Sequence, residues 1–302
     1  MGKGHLPREG EASLERKDHL ENLKKRIQWL KKKKPGYGQM LDFYQKVREA
    51  QDGVKAALKI DLIQLKKEWK ELLANEGFPL LDKKDFSLDI KASVTLFQAL
   101  CRIAKDANPY MAEEARKIEE AINTKKLDVK ELLKERTKEQ KLEQTANELG
   151  LDKNVFLFLI QCSMRPSIER GVEQLLSEID TKTWLKGYCP ICGSLPQLSL
   201  LKEETGKKYL LCSYCGYPWQ IDRLTCPFCN NKEQESLHYF YAEEEEAYRI
   251  DLCDKCHQYI KTIDLRKIEE SDPVLEDLAT PHLDILASKK GYKWPFPNLW
   301  IT

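Results

Sequence analysis

The chain has 302 residues, with 50 Lys and Arg against 49 Asp and Glu and a formal net charge of +1. Mean hydropathy is −0.58, and the longest apolar run, Val155 to Ile160, falls well short of the roughly 18–20 residues of a membrane-spanning helix. The balanced total gives no general attraction to nucleic acid or anionic lipid, and the length suits one large domain or two smaller ones.

The chain opens MGKGHLPREGEASLERKDHL, without an apolar h-region or a small-residue cleavage site. Leu6 stands where a myristoylation motif wants Ser or Thr. These features lead us to expect a cytoplasmic protein with reduced thiols, in which spaced cysteines signal metal or redox chemistry.

Residues 1 to 186 read as an all-α domain. Ser13 to Lys34 carries a sparse stripe of Leu14, Leu20, Leu23, Ile27, Trp29 and Leu30, broken by Pro35-Gly36. A helix is predicted over Met40 to Ala50. Another is predicted over Val54 to Asn75, where Leu58, Leu62, Leu65, Trp69, Leu72 and Leu73 recur at three and four residues. Ser87 is the expected cap of a helix with Val94, Phe97, Cys101 and Ala104 on one face. Asn108-Pro109 starts the next, and Asp128 and Thr137 cap two short ones, the second ended by Gly150. Asn154 to Met164 is apolar nearly all round, as a buried central helix would be, and Ile168 to Ile179 follows as a separate helix. Residues 187 to 270 change texture, with Cys, Gly, Pro and aromatics replacing the helical period. Residues 271 to 302 give one or two helices from Asp272-Pro273, then an irregular tail packing back on the domain.

Eight of the ten cysteines form four C-x-x-C pairs: Cys189/Cys192, Cys212/Cys215, Cys226/Cys229 and Cys253/Cys256. Two intervening residues let a tight turn aim both sulfurs at one ion. Gly193 and Gly216 follow directly, where the turn needs a positive φ. Between the first two pairs, Leu198 to Leu201 and Tyr209 to Leu211 flank a turn. Between the last two, Leu237 to Tyr241 and Ala247 to Ile250 flank the acidic run Glu243 to Glu246. Each repeat is knuckle, hairpin, knuckle, as in a rubredoxin or zinc ribbon. The expected pairing is first with second and third with fourth; a crossed pairing is the alternative. The fold class is therefore α+β: helical domain, two rubredoxin-like or zinc-ribbon repeats, C-terminal helices. Each site, closed by four thiolates, has no open position for activating water. Iron and zinc both suit tetrahedral sulfur.

Cys101 and Cys162 sit alone on apolar faces and read as core thiols. The five histidines form no metal-binding pair, although His257, next to Cys256, could replace a thiolate. Lys31 to Lys34 reads as a solvated helix end. Residues 187 to 272 hold ten Lys and Arg and fifteen Asp and Glu, a net of −5 that disfavours nucleic acid as the target. The first forty residues carry eleven Lys and Arg against five acids, so the near-zero total hides two opposite segments. Tyr239, Phe240, Tyr241 and Trp219 are residue types that anchor protein interfaces.

Trp184-x-x-Gly-x-Cys-Pro-x-Cys-Gly-Ser-x-Pro196, Leu211-Cys-Ser-x-Cys-Gly-x-x-Trp219, Arg223, Cys226-x-x-Cys229 and Cys253-x-x-Cys256-x-x-Tyr259-x-Lys261 resemble the formate dehydrogenase accessory protein family (FdhE). Asp277-Leu-Ala-Thr-Pro-His-Leu-Asp284 and Gly291-Tyr292 resemble its C-terminal stretch. Relatives more often carry an acidic residue where this chain has Pro218. The resemblance implies a non-enzymatic cytoplasmic maturation factor with two rubredoxin-like metal sites, acting on the catalytic subunit of a formate dehydrogenase. Trp219, Arg223, Tyr259 and Lys261 are then expected on an exposed, partner-binding face. A rubredoxin-like redox carrier and a nucleic-acid-binding zinc ribbon are the competing readings.

Overall fold

The computed structural model describes residues 9–65, 68, 69, 71, 72, 76–177, 179–181, 183–268 and 271–296. The chain divides into two compact units, residues 1–63 with 86–177, and residues 64–85 with 178–297.

The first unit is helical: α1 (Glu9–Lys33), α2 (Gly38–Lys55), α3 (Ile90–Lys105), α4 (Pro109–Asn123), α5 (Val129–Lys134), α6 (Glu139–Glu148) and α7 (Lys153–Leu175). Leu23, Ile27 and Leu30 of α1 are buried, while Trp29 faces outward under the Arg26 guanidinium, 4.3 Å from the ring centroid. α3 lies at the centre, packed on α2, α4 and α7. It buries Leu96, Phe97, Leu100, Cys101 and Ala104, the i, i+3, i+4 spacing of one helical face. Burial pushes the Cys101 and Cys162 thiols up to about 12, which makes both unreactive core groups.

Several expected boundaries move. The cap of α3 is Asp89, whose carboxylate accepts from Ala92 N; Ser87 Oγ instead accepts from Asp61 N at 3.1 Å. α6 starts after Lys138 and not at a Thr137 cap. α7 runs unbroken through Pro166, so the two helices expected there are one. The helix expected over Val54 to Asn75 does not form across residues 59–65, which lack regular structure. Asp89 Oδ2, Ser87 Oγ and Gln174 Oε1 take the backbone N–H groups of Lys59, Asp61 and Ile63, replacing the i→i−4 bonds of a helix. Glu68, Trp69, Glu71 and Leu72 are helical; the other residues of that prediction between 66 and 75 lie outside the described set.

The second unit is built on one six-stranded sheet: β1 (Pro196–Lys202), β2 (Lys207–Cys212), β3 (Pro218–Ile221), β4 (Leu237–Tyr241), β5 (Tyr248–Cys253) and β6 (Gln258–Asp264). Their spatial order is β3-β2-β1-β6-β5-β4. Neighbours are antiparallel except β1 and β6, which run parallel with Ser199 opposite Thr262. Three strands therefore repeat as two meanders lying side by side in the same sense. One face holds Leu198, Leu200, Leu211, Tyr248, Ile250, Leu252, Tyr259 and Ile263, covered by Val274 of the C-terminal helix α8 (Pro273–Leu278) and by Leu283 and Ala287 of α9 (Pro281–Lys289). The tail returns to the sheet: His257 O accepts from Lys293 N, and Lys293 O from Tyr259 N.

Candidate metal centres

The four knuckles share one backbone turn. After the second cysteine, the N–H of Gly193, Gly216, Asn230 and His257 donates to the carbonyl of the first cysteine of its pair, at 2.9 to 3.2 Å. All four of these residues have positive φ, at 70°, 72°, 57° and 52°. Glycine supplies that conformation freely, and Asn and His are among the side chains that tolerate it best. In the first knuckle Gly193 is doubly constrained, because a Cβ there would lie 3.1 Å from Pro79 Cγ.

The turns bring the eight cysteines into two clusters, Cys189, Cys192, Cys212 and Cys215, and Cys226, Cys229, Cys253 and Cys256, each with all sulfurs within 4.8 Å of one another. In the first, Cys189–Cys215, Cys192–Cys212 and Cys192–Cys215 are 3.6, 3.4 and 3.7 Å apart. In the second, Cys226–Cys256 and Cys229–Cys253 are 3.7 and 3.6 Å apart. A tetrahedron with metal–sulfur bonds of about 2.3 Å has edges of roughly 3.8 Å, so both clusters fit a four-thiolate metal ion. The crossed pairing of knuckles does not occur. His257 belongs to neither cluster.

The sites differ in exposure. All four sulfur ligands of the first cluster are buried, whereas Cys229 is exposed and Cys256 half-buried in the second. Burial pushes the Cys189 and Cys215 thiols up, while contacts with Cys189 and the other two thiols push Cys192 down. Four ionised thiols cannot coexist in that setting without a cation, so metal binding at this cluster releases protons. Sulfurs also receive N–H groups: Cys215 N to Cys212 Sγ at 3.4 Å, and Asn231 Nδ2 to Cys253 Sγ at 3.6 Å. Such donors orient thiolates and stabilise their charge.

Sequence reasoning missed three supports of the first site. The Leu80 and Leu81 N–H groups donate to Pro190 O and Ile191 O, inside the first knuckle, at 2.9 and 2.8 Å. Tyr188 Oη donates to Gly77 O at 2.8 Å. Gly187 lies so close to the third knuckle that a Cβ would stand 1.8 Å from Pro227 O. The first two join segments more than a hundred residues apart, and no local pattern announces them.

Of the four residues expected on an exposed face, only Arg223 is there. Trp219, Tyr259 and Lys261 are 1%, 3% and 1% exposed. Trp219 Nε1 donates to Lys186 O at 2.9 Å, tying β3 to the segment before the first knuckle. Lys261 Nζ contacts Asp277 Oδ1 and Asp284 Oδ2 at 2.6 and 2.7 Å, and Tyr259 Oη donates to Asp284 Oδ1 at 3.1 Å. These three hold the scaffold together because the C-terminal helices and the chain before the first knuckle cover them. Tyr239 and Tyr241 are exposed, with rings stacked 6.5 Å apart.

An α+β chain with two closed four-thiolate knuckle sites on one sheet is a double rubredoxin-like ribbon protein. Its residues 188–223 match the FdhE central domain and residues 224–301 the FdhE C-terminal domain. The Protein FdhE homolog of Aquifex aeolicus is 29% identical over 287 residues, 94% of this chain and 95% of that protein. Protein FdhE of Escherichia coli K12 is 34% identical over 108 residues, 35% of this chain and 34% of that protein. The crystal structure of FdhE from Pseudomonas aeruginosa shares the fold, with a TM-score of 0.68 at 21% identity over 98% of this chain and 97% of that one.

Proposed function

We propose that the protein is a cytoplasmic accessory factor that binds the catalytic subunit of a formate dehydrogenase and assists its maturation without catalysing a reaction. The observation that carries this reading is the pair of four-thiolate clusters within the stretch that matches the FdhE domains. Cys189, Cys192, Cys212 and Cys215 hold one iron or zinc ion, and Cys226, Cys229, Cys253 and Cys256 the other. Filled by four sulfurs, each ion lacks a position for substrate or water, which suits a folding and recognition role. No helix among the described residues is long and apolar enough to cross a membrane.

Co-purification tests the reading: the catalytic subunit is captured by the intact chain and lost with Cys192→Ser and Cys229→Ser together. Capture unchanged by that double substitution overturns the metal-dependent role. The exposure of Cys229 favours a second reading, electron transfer through an iron ion at the second site. It requires protein from its own cells to be red and reversibly bleached by reductant; a colourless, zinc-only preparation rejects it.

A further inference from the structure

Helix α1 turns a basic face outward. Residues 22 to 34 hold seven Lys and Arg and no acid. Two of these cations reach α2 and are neutralised there. Lys24 Nζ lies 3.1 Å from Glu49 Oε1, and Lys31 Nζ 2.6 Å from Asp42 Oδ2. Leu23, Ile27 and Leu30 are buried on the inner side. The outer side is centred on Trp29, which is 46% exposed. Residues three and four positions apart are surface neighbours on a helix. For Trp29 those neighbours are Lys25, Arg26, Lys32 and Lys33, and all four are cationic.

The charge of this face is not cancelled within the chain. Lys25, Lys32 and Lys33 form no ion pair among the described residues. Glu21, one turn before Lys25, is the nearest acid along the helix and does not pair with it. The Arg26 guanidinium and Lys33 Nζ lie 4.3 and 6.0 Å from the Trp29 ring centroid, so the ring gathers positive charge around itself. Lysines in a last turn suit the helix dipole, which accounts for Lys32 and Lys33. It does not account for Lys25 or Arg26, two turns earlier.

We infer that the outer face of α1 binds an acidic amphipathic helix of a partner protein. Lys25 and Lys32 form one row of cations, Arg26 and Lys33 another, each with a spacing of seven residues, about 10.5 Å along the axis. A partner helix repeats the carboxylates of one face at that same interval, so charge-assisted contacts form along both rows. Trp29 between the rows packs against an apolar side chain of the partner, as Trp does in the centre of protein interfaces. A bilayer fits less well, because α1 buries its apolar side and leaves Trp29 alone to enter lipid. A nucleic acid fits less well, because Arg26 covers the ring on which a base would stack. The inference stands on α1 and is independent of the four-thiolate clusters and of the client they serve.

Fluorescence anisotropy of labelled probes, titrated with the metal-loaded full chain, tests it. The probes are a capped helical peptide with two adjacent rows of Glu at seven-residue spacing and Leu between them, its Gln counterpart and single-stranded RNA. Co-sedimentation with vesicles of anionic phospholipid is the parallel assay. The Glu peptide is expected to bind, more weakly as salt rises, and the Gln peptide to fail. Lys25→Glu with Lys32→Glu is expected to weaken binding about tenfold or more, and a peptide whose facing Glu row is changed to Lys to restore it. The same charge change at Lys91 and Lys130, exposed lysines of the same unit, leaves binding of the Glu peptide unchanged. Equal binding of the Glu and Gln peptides, full affinity in the Lys25/Lys32 variant, or binding of RNA or vesicles without the Glu peptide overturns the inference.

Discussion

His257 holds in the fourth knuckle the place that Gly193 holds in the first, directly after the second cysteine, with φ of 52° against 70°. A left-handed conformation costs a β-branched residue about 1–2 kcal/mol or more. His257→Gly should therefore leave stability within about 1 kcal/mol, whereas His257→Val should cost about 1–2 kcal/mol. Gly193→Val should cost more, because Pro79 already crowds the site of its Cβ. Thermal unfolding of the metal-loaded variants measures each difference.

The unequal exposure of the two clusters predicts unequal metal exchange. A chelator must reach the ion, and Cys229 gives access that no sulfur of the buried first cluster gives. Zinc-loaded protein should release half its metal in a fast phase and half in a slow one. Cys229→Ser should remove the fast phase and Cys189→Ser the slow one, with chelator absorbance as the readout. A single phase in the intact protein contradicts the assignment.

Buried Lys261 sits between the half-buried Asp277 and Asp284, with its Nζ on both carboxylates and on the Asp277 carbonyl. Burial and the neighbouring Asp277 charge raise Asp284, and Lys261 only partly offsets them. Lys261→Met would leave two carboxylates facing each other without a cation, a loss of about 3–5 kcal/mol. Adding Asp277→Asn and Asp284→Asn should recover a substantial part. Denaturant unfolding of the single and triple variants decides it.

Glu169 predicts an acid-sensitive first unit. Its burial favours the neutral acid, but Arg165, Arg48 and Lys55 outweigh that and hold the carboxyl down at about 2. A folded-state value below the unfolded value of about 4.3 contributes stability that is complete above pH 4.3 and lost as pH falls toward 2. The wild-type chain should lose stability across that window, and Glu169→Gln should be less stable at pH 7 with a shallower decline. Circular dichroism melts from pH 2.5 to 7 check both slopes.

How far the sequence carried depends on the range of the interactions that decide each element. The knuckles and hairpins were legible because a two-residue spacing and a period-two run are local. β6 was not, because Lys261 and Asp264 interrupt its apolar alternation, and the partners that bury Lys261 lie in helices that follow. The exposed face expected for Tyr259 and Lys261 came from the family resemblance, and the covering C-terminal helices overturn it. Residues 59–65 misled in the opposite way. Their leucine spacing is helical, yet Leu62 is 79% exposed, and side chains at 87, 89 and 174 take their N–H groups.

The parallel seam of β1 on β6 bears on what else the sheet accepts. Moving the first meander onto the second by the same step carries β1 onto β4. The outer edge of β4 is then equivalent to the edge of β1 that β6 occupies. Such a series is open-ended, and a strand extending it would enter parallel to β4, as β6 lies beside β1. Growth in the other direction meets β3, where Pro218 lacks an N–H to donate. The sheet is thus polar as an assembly, able to lengthen at one end and blunted at the other.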